Sequence, residues 1–213
     1  MRMMTDKHII KGVYAITPDE PDDQVLLRMV RDALDGGIQI LQYRNKQLDF
    51  DSKLRQASKV KQLCDVKHIP FLINDDIEIC RILDAFGVHL GANDDNLTTA
   101  RNILGPAKCI GVSCYNQIER VRMGIDQGAD YIALGAFFPT STKPNAPRMT
   151  NEILQEVKKI CPLPIVAIGG ISKANAADLI KSGVDAIAVI QSIFSSDDII
   201  QAVDDLNQLF KNH

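Results

Sequence analysis

Residues 164–190 read PIVAIGGISKANAADLIKSGVDAIAVI, and this stretch decides the fold. Two short apolar runs, at 164–168 and 185–190, flank a segment with the spacing of an amphipathic helix. Continuous apolar runs of this length are typical of parallel strands that are covered by helices. Pro164 opens the first run, where a missing N–H does little harm, and Gly183 stands where a left-handed residue ends a helix. The stretch predicts one strand–helix–strand unit of a parallel sheet.

The same unit recurs along the whole chain. Six further apolar runs predict strands at 12–16 (GVYAI), 38–43 (IQILQY), 70–74 (PFLIN), 87–90 (GVHL), 109–113 (CIGVS) and 130–135 (DYIALG). Eight such units in series imply right-handed crossovers, and eight strands close a barrel. We therefore predict an α/β fold, a single-domain (β/α)8 TIM barrel over residues 1–213. An open doubly wound sheet is the alternative, although no G-x-G-x-x-G follows the first strand.

Capping residues mark where several helices begin and end. Asn116 with Glu119 has the spacing of a capping box, and Ser172 suits the N-cap of a helix over 174–180. Glycines at 36–37, 128 and 183 follow helical segments and suit their C-termini.

Bulk composition excludes several classes of function. A net charge of -3 and a pI near 5.8 give no general attraction to nucleic acid. No apolar stretch has the length of a membrane span. The five cysteines form no C-x-x-C pair, which favours a reduced, cytoplasmic protein. A phosphorylated substrate would therefore need a local basic site, and the oligomeric state is left open, a homodimer included.

The second predicted strand ends in polar residues suited to a diphosphate. Active sites of these barrels form at the carboxyl ends of the strands. Gln42, Arg44 and Lys46 alternate along the chain, so an extended strand places all three on one face, over the barrel mouth if Gln42 points inward. Arginine offers a planar fork to phosphate and lysine a point charge. The alternative is a solvated strand end with two surface cations.

Aspartates follow the third and fourth strands. Asp75 and Asp94 each precede a predicted helix, so each can be a simple N-cap. The functional reading is a pair of Mg²⁺ ligands, because magnesium combines a few carboxylates with substrate phosphate oxygens and water. Asn74 would add a hydrogen bond to the diphosphate. Asp76 and Asp95 are interpreted as charges at helix N-termini.

The later strands end in further candidate residues. Residues 139–148, after the sixth strand, are irregular and include PTSTKP, which suits a mobile active-site loop. Gly169 and Gly170 let a phosphate approach the backbone after the seventh strand. His89 is interpreted as a hydrogen-bonded structural histidine and the cysteines as core residues.

These segments together resemble one family, the thiamine-phosphate synthases, over about residues 12–194. The matching segments are YAITPD (14–19), GGIQILQYRNK (36–46), INDD (73–76), GVHLGANDD (87–95), IGVS (110–113), ADYIALGAFFPTSTKP (129–144), PIVAIGGI (164–171) and GVDAIAVIQSIF (183–194). The family joins 4-amino-5-hydroxymethyl-2-methylpyrimidine diphosphate to 4-methyl-5-(2-phosphoethyl)thiazole and releases pyrophosphate.

The resemblance implies a role for each matching residue. The pyrimidine diphosphate would be bound by Gln42, Arg44, Lys46, Asn74, Ser113 and Lys143. Of these, Arg44, Lys46, Lys143 and Ser113 would be catalytic. The thiazole phosphate would be surrounded by Thr140, Ser141, Thr142, Gly170, Ile190 and Gln191. Asp75 and Asp94 would hold Mg²⁺.

The chain departs from the family pattern at three places. Gln191 stands where the family usually has serine, Asp76 where it often has arginine, and GAND (91–94) where G-Q-[DE]-D is common. Two alternative functions remain open: a thiazole tautomerase-like barrel, and a non-catalytic protein that binds thiamine or phosphate.

Overall fold

A computed structural model of the protein, which describes residues 10–91, 97–140 and 147–211, shows a closed barrel of eight parallel strands in sequential order. The first strand pairs with the second and also with the eighth, with Tyr14 opposite Ile40 on one side and Ala188 on the other. This closure confirms the predicted single-domain (β/α)8 barrel. The doubly wound alternative is wrong, because that sheet would have two free edges.

Strands and helices alternate along the chain. The strands are β1 (Gly12–Ile16), β2 (Ile40–Tyr43), β3 (Phe71–Asn74), β4 (Gly87–Leu90), β5 (Cys109–Tyr115), β6 (Tyr131–Leu134), β7 (Ile165–Ile168) and β8 (Ala186–Val189). The helices are α1 (Asp23–Asp35), α2 (Phe50–Val66), α3 (Ile77–Ile82), α4 (Leu97–Leu104), α5 (Ile118–Asp126), α6 (Asn151–Ile160), α7 (Ala176–Lys181), α8 (Gln191–Phe194) and α9 (Ile199–Lys211). All eight predicted strands are present, with ends that differ by one or two residues.

Helix ends follow the predicted glycines but not the predicted caps. Gly37, Gly128 and Gly183 have φ of 87°, 85° and 83°, the left-handed conformation expected after a helix. The capping box at Asn116 is wrong, because its side chain donates instead to the Arg148 carbonyl. The N-cap at 172 is also wrong, since α7 begins only at Ala176 with Asn175 as its N-cap.

Two layers of side chains form the core. One layer lies between the barrel and its helices, and it includes Val13, Leu41, Ile73, Val88 and Ile110. The other fills the barrel interior with alternate residues of the same strands, among them Tyr14, Ile16, Ile40, Leu72, Tyr131, Val166 and Ala188. Because inward residues alternate along each strand, Gln42, Asn74, His89 and Ser113 continue the interior layer toward the carboxyl ends.

An ion pair closes the amino-terminal end of the barrel. The Arg101 guanidinium on α4 lies 2.6 Å from the Asp130 carboxylate just before β6. It also donates to the carbonyls of Gly105, Lys108 and Gly128. We assign this ion pair to stability, because this face lies opposite the strand ends where barrel active sites form.

In the described part of the chain, no helix forms a membrane span and no cysteine forms a disulfide. None of the helices there combines the length and apolar character of a membrane span. Cys64, Cys80, Cys109 and Cys114 are buried and free, and burial raises the pKa of the Cys64 thiol to about 12. Such thiols stay protonated near neutral pH, which agrees with their interpretation as core residues.

Candidate active site

A cavity of about 460 Å³ opens at the carboxyl ends of the strands. Eight of the predicted site residues line it: Gln42, Arg44, Asn74, Ser113, Thr140, Gly170, Ile190 and Gln191. Lys46 and Asp75 line a neighbouring groove, which shares Asn74 with the cavity. Asp94, Ser141, Thr142 and Lys143 lie outside the described residues. Residues that follow or end six of the strands, β2, β3, β5, β6, β7 and β8, are thus brought to one end of the barrel.

The predicted alternation of Gln42, Arg44 and Lys46 holds only in part. Gln42 points into the barrel, which was the condition set from the sequence, and is 2% exposed. The strand ends at Tyr43, so Arg44 and Lys46 stand on a loop in which strict alternation no longer applies. Arg44 lines the cavity, whereas Lys46 is directed into the groove, with Nζ 3.9 Å from Asp75 Oδ2. The prediction that all three share one face is therefore wrong for Lys46.

Residues after β1 hold Arg44 in place. The Asp19 carboxylate accepts a 2.7 Å hydrogen bond from the Arg44 guanidinium and another from the Lys46 backbone N–H. The buried Thr17 hydroxyl donates to the Arg44 carbonyl and accepts from the Arg44 N–H, each at 2.8 Å. These contacts orient a cation whose side chain is only 14% exposed. Sequence reasoning missed Thr17 and Asp19, although YAITPD contains both.

A buried amide fixes the loop that carries Lys46. The Asn45 side chain is 4% exposed, and its oxygen accepts from the N–H groups of Gln47 and Leu48. Its amide nitrogen donates to the Glu20 carbonyl and to Gln56 on α2. The polar loop is therefore anchored from two sides, which limits the freedom of the lysine next to it.

Asp75 does not cap a helix, so its alternative interpretation as a simple N-cap is wrong. Asp76 is the N-cap of α3 and accepts from the Ile79 N–H at 2.9 Å, as interpreted from the sequence. Asp75 adopts φ of 61°, a conformation that aspartate tolerates better than most residues. Its carboxylate accepts from the Asn74 side chain at 2.7 Å and from the Gly91 N–H at 3.1 Å.

The Asp75 carboxylate fits a hard cation. Its side chain is 43% exposed, it faces the groove, and its oxygen atoms are the ligand type that Mg²⁺ prefers. Within residues 10–91, 97–140 and 147–211, no cluster of three or more His, Cys, Asp or Glu is arranged to hold a metal. Asp94 lies outside those ranges, so the structure describes only Asp75 of the two predicted Mg²⁺ ligands.

Four polar side chains form a hydrogen-bonded group in the barrel interior: Tyr14, Tyr131, His89 and Ser113. The sequence analysis did not predict this group. His89 is hydrogen-bonded and buried, as its structural interpretation requires, yet its ring also lines the cavity. Its two nitrogens lie 2.8 Å from Tyr131 OH and 2.9 Å from Ser113 Oγ. Tyr131 in turn bonds Tyr14, and burial raises the pKa of both phenols well above the ordinary value.

An irregularity in β5 helps to present Ser113. The register against β6 shifts between Ser113 and Tyr115, and Tyr115 has φ of 52°. Bulges of this kind occur often beside active sites, where they redirect side chains. Ser113 and Tyr115 both line the cavity, on the face that residues two apart along a strand share.

A pair of glycines packs the end of β7 against the chain after β6. Gly169 and Gly170 have φ of 102° and 62°. A Cβ atom at Gly169 would overlap Ala136, and one at Gly170 would overlap Phe138 and the Pro139 carbonyl. The backbone after β6 thus runs against this turn and reaches Thr140 at the cavity. Packing therefore requires both glycines, and the phosphate access predicted for them from the sequence stays a prediction.

The far end of the predicted loop is also anchored. Ala136 N–H donates to the Pro147 carbonyl, and Met149 N–H donates to the Ala136 carbonyl at 2.8 Å. Met149 is buried at 4% exposure. Pro147 and Met149 are therefore held against Ala136, which lines the cavity.

Comparison with known proteins gives a consistent result. The model of the thiamine monophosphate synthase family matches residues 13–193. A thiamine-phosphate synthase of Methylobacillus flagellatus is 45% identical over 94% of this chain and 96% of its own, and one of Thiobacillus denitrificans is 44% identical over 93% and 94%. The solved structure of a thiamine phosphate pyrophosphorylase from Pyrococcus furiosus superposes with a TM-score of 0.85 at 31% identity, covering 97% of this chain and 98% of that one.

Fold and site define a single-domain (β/α)8 barrel with a cavity, lined by polar and apolar residues, at the carboxyl ends of its strands. The chain belongs to the thiamine monophosphate synthase family. It is accordingly a transferase of thiamine biosynthesis that acts on phosphorylated small molecules, and the resemblance seen in its motifs is confirmed.

Proposed function

We propose that the protein joins 4-amino-5-hydroxymethyl-2-methylpyrimidine diphosphate to 4-methyl-5-(2-phosphoethyl)thiazole, giving thiamine phosphate and pyrophosphate. The single observation that carries this proposal is the meeting of Arg44, Asn74 and Ser113 around one cavity, with Lys46 and Asp75 in the groove beside it. A cavity that combines a guanidinium with neutral donors suits an anion of high charge. The relatives reported above are named thiamine-phosphate synthases, which supports the proposal.

Departure of pyrophosphate is the difficult step of this reaction. The aminopyrimidine ring can stabilise a methylene cation, so the bond to the diphosphate can break before the new bond forms. Negative charge then grows on the leaving group, and preorganised donors stabilise it. Arg44 is already oriented by Asp19 at 2.7 Å, so its guanidinium needs little rearrangement to bind that charge.

Neutral donors complete the proposed diphosphate site. Asn74 and Ser113 line the same cavity and would donate to diphosphate oxygens. Lys46 contributes positive charge from the groove, and Lys143, outside the described residues, is proposed to do so from the loop after β6. We assign these residues to the leaving group and not to proton transfer, since the thiazole nitrogen is an unprotonated nucleophile and needs no base.

Mg²⁺ is part of the proposal. Asp75 and Asp94 would hold it, and when bound it would supply positive charge beside the diphosphate. Asp75 is suited to this role because it is exposed, faces the groove and does not cap a helix.

The thiazole phosphate is assigned to the other side of the cavity. Gly170, Ile190 and Gln191 line that side after β7 and β8, the usual phosphate site of such barrels. Thr140 lies next to them, and Ser141 and Thr142 follow it in the sequence. Holding the two substrates together in one cavity raises the rate of the reaction between them by proximity alone. Both substrates are small molecules, and the proposed location of the enzyme is the cytoplasm.

One assay tests the function against both alternatives. Purified protein is mixed with the two substrates and Mg²⁺, and thiamine phosphate and pyrophosphate are measured, with Arg44→Ala as the matched control. We expect both products in equal amounts, and much less of both from the variant. A tautomerase-like barrel would form neither product, and a binding protein would retain ligand without releasing pyrophosphate. Either result would overturn the proposal.

A further inference from the structure

A chain of hydrogen bonds crosses the barrel interior from β2 to β5. Gln42 Nε2 lies 2.6 Å from Tyr14 OH, and Tyr14 OH lies 2.9 Å from Tyr131 OH. Tyr131 OH lies 2.8 Å from His89 Nδ1, and His89 Nε2 lies 2.9 Å from Ser113 Oγ. Both ends of the chain, Gln42 and Ser113, line the cavity. The interior of the barrel therefore connects two cavity residues that come from different strands.

The first link sets the direction of the whole chain. Gln42 donates through its amide nitrogen to Tyr14 OH, which leaves the single Tyr14 hydroxyl proton for Tyr131 OH, the other hydrogen-bond partner of Tyr14. Tyr131 then donates to His89 Nδ1, which must be unprotonated to accept. A neutral imidazole with a bare Nδ1 carries its proton on Nε2, and that N–H donates to Ser113 Oγ.

We infer that this directional chain makes the Ser113 hydroxyl a hydrogen-bond donor toward the cavity, with Tyr14, Tyr131 and His89 as positioning residues. Because Ser113 Oγ accepts from His89, its own proton is directed elsewhere, and the cavity is where a ligand can receive it. The inference rests on the proposed function in one respect: the recipient is an oxygen of the diphosphate.

The opposite direction would suit an anion poorly. If the Gln42 amide turned so that its oxygen accepted from Tyr14, each later bond would reverse, and Ser113 would donate to His89. The lone pairs of Ser113 would then face a diphosphate, which has only acceptor oxygens. The binding of an anion at Arg44 and the orientation of the Gln42 amide therefore both favour the direction in which Ser113 donates toward the cavity.

Packing holds the relay in one geometry. The rings of Tyr14 and Tyr131 meet edge to face with centroids 6.2 Å apart, and His89 stacks on Tyr131 at 5.6 Å. Gly111 leaves the space for the Tyr131 ring, since a Cβ atom there would overlap it. Burial raises the pKa of both phenols, so each remains a neutral donor over the working pH range.

Nitrogen NMR of the histidine rings tests the direction without any substrate. The protein is labelled with ¹⁵N-histidine and measured at pH 8, where an ordinary imidazole is neutral. The His89 signals are assigned by their loss in His89→Gln. We expect the Nε2–H tautomer alone in the wild type and a mixture of tautomers in Tyr131→Phe. A substantial Nδ1–H fraction in the wild type, or no change in the variant, would overturn the inference.

Kinetics test the consequence for catalysis. Tyr131→Phe should lower kcat about tenfold, the effect of one lost hydrogen bond near a charged group, with little change in KM. Cys64→Ala is the control for lost core packing, since Cys64 is fully buried between the barrel and its helices and takes no part in the relay. Equal kcat values for the two variants would contradict the inference. If Tyr131→Phe does not fold, Tyr14→Phe gives the same test.

The two experiments separate this inference from the proposed function. A wild-type protein that forms no thiamine phosphate would defeat the proposed function, while the tautomer of His89 would still report the direction of the relay. An active enzyme with His89 protonated on Nδ1 would defeat the relay alone.

Discussion

His89 Nε2 lies 2.9 Å from Ser113 Oγ, and this contact joins the packed interior of the barrel to the cavity at its mouth. The serine hydroxyl is therefore not a free rotor in a solvated loop. It is positioned by a ring that is itself stacked on Tyr131. The energetic consequence is that Ser113 can meet developing charge without reorganisation.

Removal of the Ser113 hydroxyl should affect the chemical step more than binding. We expect Ser113→Ala to lower kcat by about 10²–10³, as loss of one preorganised donor does elsewhere, with KM nearly unchanged. Steady-state rates measured with both substrates varied check this. A large rise in KM at unchanged kcat would show that the hydroxyl binds the ground state instead.

The ion pair between Arg44 and Asp19 predicts a milder effect at a residue that does not touch substrate. Asp19→Ala should raise KM for the pyrimidine diphosphate about tenfold, because the guanidinium loses a charged hydrogen-bond partner. Asp35→Ala is the control, since Asp35 pairs with Lys67 at 2.7 Å on the helical surface. Equal KM values for the two variants would contradict the positioning role of Asp19.

Neighbouring aspartates allow a matched test of the metal assignment. Asp75→Asn should raise the Mg²⁺ concentration required for half-maximal rate, whereas Asp76→Asn should leave it unchanged. The second variant should also leave stability nearly unchanged, because asparagine caps a helix such as α3 about as well as aspartate. Titration of activity with Mg²⁺ after EDTA treatment distinguishes them. Full activity in excess EDTA would exclude the metal from the reaction.

The ion pair at the amino-terminal end of the barrel should matter for stability alone. Arg101→Ala removes the guanidinium partner of the nearly buried Asp130 carboxylate, so the free energy of unfolding should fall by about 3 kcal/mol. Arg81→Ala is the control, because its pair with Glu78 is exposed and contributes little. Denaturant melts and kcat are measured on both. A reduced kcat in folded Arg101→Ala would contradict the separation of the two barrel ends.

The order of the elements could be predicted from the sequence because each strand is a local signal. Apolar runs and helix-ending glycines such as Gly183 depend on a few neighbouring residues, and eight units in series leave few ways to bury the sheet. The inward direction of Gln42, which the sequence analysis left as a condition, follows from strict alternation along the strand. The same rule failed at Lys46, where the strand had already ended.

The interior network could not be predicted because its contacts join distant segments. Tyr14 and Tyr131 are separated by 117 residues, and nothing local to either one indicates the other. One indirect signal was present: Gly111 lies inside β5, and glycine within a strand often marks close approach by another group. In this barrel the group is the Tyr131 ring.

The central claim is that a diphosphate binds at the barrel mouth between Arg44, Asn74 and Ser113. A crystal structure of the protein with pyrophosphate and Mg²⁺ tests it most directly. We predict pyrophosphate oxygens within hydrogen-bond distance of all three side chains, with the metal on Asp75. Pyrophosphate bound elsewhere, with the cavity beside Arg44 left to solvent, would contradict the account.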